Sequence, residues 1–293
     1  MRIISSTEEM QAACRELRRQ QMPAGLVPTM GALHEGHLSL VRMARSQART
    51  VAVSIFVNPL QFGPAEDYGR YPRTFASDCR MLEAEGVDIV FAPSVEEMYP
   101  PDACTYVFVE GMSDRLCGRS RPGHFRGVTT VVAKLFNIVL PGLAFFGQKD
   151  AAQVAVLRRM ARDLNFDLSV IVGPTVREAD GLALSSRNQY LDAQQRKSAA
   201  VLYLALTVIE KLAKEGESDT QRLIEAGKQV LAGVPADGAA VTLDYLEIAD
   251  PETLKEVTNL QSDPNRGAMA AIAAYVGSTR LIDNVVLRPA VAD

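Results

Sequence analysis

From Gly25 to about Thr175, short apolar runs alternate with stretches of helical spacing. Residues 25–30, 51–57, 87–91, 105–109, 143–146 and 167–172 read as strands. Residues 7–20, 74–85, 128–139 and 151–164, and a stretch after Gly36, carry apolar residues at helical intervals. Thr7 is the expected cap of the first helix, and Gly86 the glycine that ends the helix before the 87–91 strand. The run Val51-Ala52-Val53-Ser54-Ile55-Phe56-Val57 is too apolar to wet either face, so it reads as a strand buried on both sides. Strands alternating with helices predict an α/β fold with a parallel sheet and helices on both faces.

The pattern changes beyond about residue 176. A long helix over 193–214, capped by Asp192, is followed by a turn at 216–219 and a second helix over 220–231. Three strands are then expected, over 241–248, 268–276 and 280–287, the last two joined by a hairpin turn at Gly277-Ser278-Thr279. This is a smaller α+β domain, which gives two expected domains, 1–176 and 177–293.

Composition removes several classes of function. The chain has 31 Lys and Arg against 35 Asp and Glu, a net charge of −4, so it lacks the global basic field that nucleic-acid binding calls for. The longest apolar stretch, 128–146, is interrupted by Lys134, Asn137 and Pro141 and is not a membrane span. Acidic residues follow the N-terminal Met1-Arg2-Ile3-Ile4 without an apolar core, so no secretory signal is expected and the cytoplasm is the expected location. The four cysteines are scattered and form no C-x-x-C pair, which favours mostly buried, reduced thiols.

Chemistry concentrates in the turns after the expected strands. Two of the three histidines lie in Met30-Gly31-Ala32-Leu33-His34-Glu35-Gly36-His37, between a core strand and a helix start. That corner is at the carboxyl end of a parallel strand, where ligands bind, and a helix N-terminus offers N–H groups to an anion. His34 and His37 can donate to phosphate oxygens. Zinc is poorly supplied, with one other histidine and no paired cysteines.

The third histidine sits in Arg119-Ser120-Arg121-Pro122-Gly123-His124-Phe125-Arg126, which is either a second anion-facing loop or a solvated basic one. Asn58-Pro59-Leu60-Gln61-Phe62-Gly63 follows the second core strand. It is equally a ligand-orienting segment or a turn built on Asn-Pro. In Gly147-Gln148-Lys149-Asp150, a lysine beside a helix start suits a polyphosphate, and Asp150 suits a cap. Leu184-Ser185-Ser186-Arg187 is a flexible loop able to close over phosphates, or a serine-rich linker.

These segments together resemble the pantoate–β-alanine ligase family, within the His-x-Gly-His nucleotidylyl transferase superfamily. The matching stretches are 28–40, 57–63, 121–139, 146–153 and 181–191. The serine–arginine loop is similar to the phosphate-binding loop of that superfamily, and a Walker-type pattern is absent. The resemblance implies a Rossmann-like N-terminal domain, with the C-terminal domain as its lid, usually as a homodimer. It implies ATP-dependent joining of pantoate to β-alanine through pantoyl adenylate, releasing pyrophosphate and then AMP, with Mg2+ accompanying the nucleotide.

By the same resemblance, Met30 to His37, Gly147 to Asp150, Val176, and Leu184, Ser185, Ser186 and Arg187 contact ATP. His34, His37, Lys149 and Arg187 are the catalytic candidates, with His37 matching a proton donor. Gln61 and Gln153 match pantoate-binding glutamines. Asn58, Arg121 and His124 are candidates for the site wall. No magnesium ligand is assigned, and Asp78 is the one carboxylate considered. Gln148 and Ala151-Ala152 depart from the family's more usual glutamate and aromatic-Gln pair.

A nucleotidylyl transferase making a dinucleotide or CDP-alcohol would share the histidine corner. It would not need the Asn58–Gln61 stretch or Gln153. A non-catalytic adenylate-binding regulator would not need both histidines, Lys149 and Arg187.

Overall fold

The computed structural model describes residues 1–64, 66–233, 239–263 and 265–288. The chain packs as two compact units. The first comprises residues 1–114, 121–148 and 156–174. The second comprises 115–120, 149–155 and the chain from 175 onward. Among the described residues, no helix is long and apolar enough to cross a membrane.

The first unit is built on six parallel strands: β1 (Arg2–Ile4), β2 (Gly25–Thr29), β3 (Val51–Ile55), β4 (Ile89–Phe91), β5 (Leu143–Gly147) and β6 (Ser169–Gly173), in the order β1-β4-β3-β2-β5-β6. The helices along this part of the chain are α1 (Thr7–Arg19), α2 (Glu35–Gln47), α3 (Phe75–Ala84), α4 (Val95–Met98), α5 (Cys117–Ser120), α6 (His124–Val139) and α7 (Ala151–Asp163). Val27, Val51 and Val53 of the sheet pack with Leu40, Val41 and Ala44 of α2 and with Leu82 of α3. The chain winds outward from β2 through β3 to β4, then starts again on the other side of β2 with β5 and β6. The order therefore reverses between β2 and β5, the place where open parallel sheets bind ligands. Pairing there covers only Gly25 with Leu143 and Leu26 with Ala144. Pro28, without an N–H to give a ladder, lies beyond that point.

Within the second unit, α8 (Ala193–Ala199), α9 (Val201–Lys214) and α10 (Thr220–Ala232) accompany an antiparallel sheet of β7 (Val241–Ala249), β8 (Ala268–Val276) and β9 (Thr279–Leu287). Leu202, Leu206 and Ile209 recur at helical spacing on α9 and share a core with Leu246, Ile272 and Ala274.

Several expectations are corrected. Ser6, not Thr7, caps α1, its side chain accepting from the Glu9 N–H. Residues 105–109 form no strand. The Val107 N–H donates to Thr130 Oγ1 and its carbonyl accepts from Thr129 Oγ1, so α6 side chains satisfy backbone that a neighbouring strand would otherwise pair. β1 was not anticipated, being three residues long. The helix expected over 193–214 is two helices meeting at Ala200. The hairpin turn is Gly277-Ser278 alone, because Thr279 already pairs with Val276. Only Cys14 and Cys117 are buried; Cys79 is half-buried and Cys104 exposed, and all four are free thiols.

Candidate active site

The turn from β2 into α2 is the centre of the first unit's site. Thr29 Oγ1 donates to the Ser54 carbonyl on β3 and accepts from the Gly31 N–H. The chain then takes two left-handed residues, Gly31 at φ +78° and Ala32 at φ +50°. The second costs an L-residue about 1–2 kcal/mol. Asp78 on α3 compensates. It is fully buried, and its two carboxylate oxygens accept from the Ala32 and Leu33 N–H groups at 3.0 Å, with Thr74 Oγ1 also donating. Asp78 is therefore the clamp of this turn. Its consideration as a magnesium ligand is corrected, because its oxygens are engaged by protein donors.

His34 is the N-cap of α2 and His37 its third residue. The Gly36 N–H donates to His34 Nδ1 at 3.2 Å, and the His34 N–H donates to His37 Nδ1 at 3.3 Å. An Nδ1 that accepts carries no proton, so both neutral rings keep theirs on Nε2. The rings lie 4.1 Å apart. Glu35 turns away to the surface, where it and Glu85 pair with Arg42; the Arg42 hydrogen bond holds its carboxyl below the usual range.

The structure brings Asn58, Gln61, Arg121 and His124 together. Asn58 caps the 3-10 turn Pro59–Gln61 and is 1 % exposed. Its Oδ1 accepts from the Leu60 N–H and, at 2.8 Å, from Tyr99 OH. Its Nδ2 donates to Gln61 Oε1 and to the Gly127 carbonyl. Gln61 Nε2 then reaches Met30 Sδ at 3.1 Å, so the amide lies against the histidine turn. Arg121 donates to Glu66 Oε1 at 2.7 Å and to the Gln61 carbonyl, which also contacts His124 Nδ1. Burial pushes the Glu66 carboxyl up, but Arg121 and the Gly63 N–H hold it below its usual value on balance. Burial raises the Tyr99 phenol, which stays neutral and can donate.

In the second unit, Lys149 lies in the 3-10 turn Gln148–Asp150, with Nζ 3.9 Å from Asp150 Oδ2. Asp150 therefore faces the lysine. Gln153 is half-buried in the first turn of α7, after the buried Ala151 and Ala152. Val176 and Leu184 close a small hairpin, the Leu184 N–H donating to the Val176 carbonyl at 3.0 Å. Its tip is Gly181, at φ +91°, where a Cβ would come within 2.1 Å of the Tyr203 ring.

The serine–arginine segment is not an open loop. Ser185 caps the 3-10 turn Ser186–Tyr190, accepting from the Arg187 N–H. Asn188 Nδ2 ties that turn to Glu178 and to the Ala183 carbonyl, and Arg196 braces Glu178 and Asp180. Arg177 lies 3.9 Å over the Tyr203 ring and pairs with Asp283. Burial pushes the Asp283 carboxyl up, against the pull of Arg177 and, more weakly, Lys149. Asp78, Glu66, Tyr99, Gly127, Arg177, Asp283 and Asn284 are thus supporting residues that sequence reasoning missed or misjudged. Among the described residues, no three His, Cys, Asp or Glu side chains are grouped to hold a metal ion.

Comparison with known proteins agrees with this architecture. A family model described as Pantoate-beta-alanine ligase matches residues 2–286. Pantothenate synthetase of Koribacter versatilis is 58% identical over 290 residues, covering 99% of this chain and 97% of its own. That of Thermotoga neapolitana is 56% identical over 287 residues, covering 98% of this chain and all of its own. The crystal structure of the Thermus thermophilus pantothenate synthetase superposes with a TM-score of 0.91 at 47% identity, covering 99% of this chain and 100% of that one. A Francisella tularensis pantoate-beta-alanine ligase, crystallised with beta-gamma ATP and beta-alanine, gives a TM-score of 0.78 at 32% identity, covering 98% of this chain and 97% of its own. With its sheet, its histidine turn and nearly its whole length accounted for, the chain belongs to the pantoate–β-alanine ligase family.

Proposed function

We propose that this protein condenses pantoate with β-alanine at the expense of ATP, through a pantoyl-adenylate intermediate, releasing pyrophosphate and AMP. The observation that carries the reading is the contact of the Gln61 amide with Met30. It sets a residue suited to an organic acid beside a turn suited to a nucleotide phosphate.

In the first step a pantoate carboxylate oxygen attacks the α-phosphorus and pyrophosphate leaves. Negative charge gathers on the phosphates, so preorganised donors do most of the work. The Nε2–H groups of His34 and His37 and the N-terminus of α2 suit that task, as do the cations of Lys149 and Arg187. In the second step the β-alanine amine attacks the acyl carbon and AMP leaves. The family resemblance supports Met30 to His37, Gly147 to Asp150, Val176 and Leu184 to Arg187 as the ATP-contacting set. Gln61 and Gln153 are assigned to pantoate, and Asn58, Arg121 and His124 to the pocket wall behind Gln61.

Magnesium does not fit at Asp78, whose oxygens already accept two main-chain N–H groups and the Thr74 hydroxyl. Mg2+ is assigned to the nucleotide phosphates and water. The same resemblance supports a homodimer; a cytoplasmic location and a domain boundary near residue 176 are read from the sequence pattern.

The test is product analysis with purified protein. AMP and pyrophosphate should turn over only when ATP, pantoate and β-alanine are all present. Release of ADP, or AMP turnover indifferent to β-alanine, would overturn the reading.

A further inference from the structure

Strand β9 buries two consecutive polar side chains, Asp283 and Asn284, each 4 % exposed. Consecutive strand residues point to opposite faces, and a buried polar group needs partners. Here the partners are Lys149, in a segment assigned to ATP, and Arg177, in the hairpin that leads to the serine–arginine turn.

Asn284 Nδ2 donates to the Lys149 carbonyl at 2.9 Å, across 135 residues of sequence. The turn Gln148–Asp150 is a single 3-10 turn between β5 and α7. Asp283 Oδ1 also accepts from the main-chain N–H of Asn284 at 2.7 Å, which fixes the carboxylate against its own strand. The Asp283 carboxylate also receives two bonds from Arg177, at 2.6 and 3.0 Å. Arg177 donates again to the Gly181 carbonyl at the tip of the hairpin. That hairpin holds the serine–arginine turn through Glu178, Ala183 and Asn188.

We infer that Asp283 and Asn284 are positioning residues for the ATP-facing segments. Asn284 fixes the main chain of Lys149. Asp283, through Arg177, fixes the hairpin that presents Ser185, Ser186 and Arg187. The inference rests on the proposed function, in which Lys149 and Arg187 meet nucleotide phosphates. Its physical basis is that a donor displaced by about 1 Å can cost on the order of a hundredfold in rate.

The experiment is a set of double-mutant cycles on the full-length enzyme. Steady-state rates are measured with ATP and pantoate varied separately, and thermal midpoints report folding. Asn284→Ala should lower kcat/KM for ATP roughly ten- to hundredfold, with a much smaller change in KM for pantoate. Added to Lys149→Ala it should cost little more, whereas added to Gln61→Ala its effect should multiply. Asp283→Asn should be non-additive with Arg187→Ala in the same way. If Asn284→Ala does not fold, Asn284→Asp keeps the volume, loses the donor and should give the same cycle. A loss in Asn284→Ala that multiplies fully with that of Lys149→Ala would overturn the inference alone. Full activity in Lys149→Ala would overturn the phosphate assignment and the inference with it.

Discussion

His34 and His37 differ from surface histidines in having their protons placed by the backbone. Each Nδ1 accepts a main-chain N–H, so Nε2 is the donor on both rings. One pair of bonds thus caps a helix and readies two donors. Substitution by alanine would mix the two roles, because losing a cap costs about 0.5–2 kcal/mol. Asparagine separates them, since it can cap α2 yet has no Nε2–H. His34→Asn and His37→Asn should each slow the full reaction roughly a hundredfold. They should act much more weakly when synthetic pantoyl adenylate and β-alanine are supplied, because pyrophosphate has already left by then. Equal losses in the two assays would show that the histidines do not act specifically in adenylation.

At the scale of elements, the Pro59–Gln61 turn is shaped by the helix it touches. Gly127 on α6 lies so close that a Cβ there would be 2.2 Å from the Leu60 carbonyl oxygen and 2.6 Å from the Gln61 nitrogen. Backbone on both sides leaves no flexible side chain to yield. In a free helix Gly→Ala gains roughly 0.5–1 kcal/mol, but overpacking costs about 1–3 kcal/mol, so here the clash wins. Gly127→Ala should push the Asn58–Gln61 turn outward and raise KM for pantoate several-fold or more, with KM for ATP moving less. Unchanged pantoate kinetics would show that the turn does not line that pocket.

Element by element, the sequence was readable where local pattern decides the outcome. Strand β3 and helices α7 and α10 fell close to their expected positions, since period and caps specify them. The failures had distant causes. Residues 105–109 have strand-like side chains, but their backbone partners are hydroxyls on α6, more than twenty residues on. β1 exists because β4 supplies a ladder 87 residues away, pairing Arg2 with Ile89.

The same division runs through the molecule as a whole. The histidine turn, Lys149 and the serine–arginine segment were visible as candidates because each is compact in sequence. Their supports were not, because Asp78 reaches Ala32 across 46 residues and Tyr99 reaches Asn58 across 41. In the proposed sequence, the acid and the nucleotide become covalently joined. That joining leaves an isotopic trace. With both pantoate carboxylate oxygens labelled with heavy oxygen, one forms the bond to the α-phosphorus. When the β-alanine amine attacks, the bond between the acyl carbon and that oxygen breaks. One labelled oxygen should therefore be found in AMP by mass spectrometry, the other in the amide carbonyl of the product, and none in pyrophosphate. An acyl-phosphate route would instead carry the label into inorganic phosphate and leave ADP. Unlabelled AMP would exclude the adenylate, because no other step of the proposed sequence moves a pantoate oxygen onto the nucleotide.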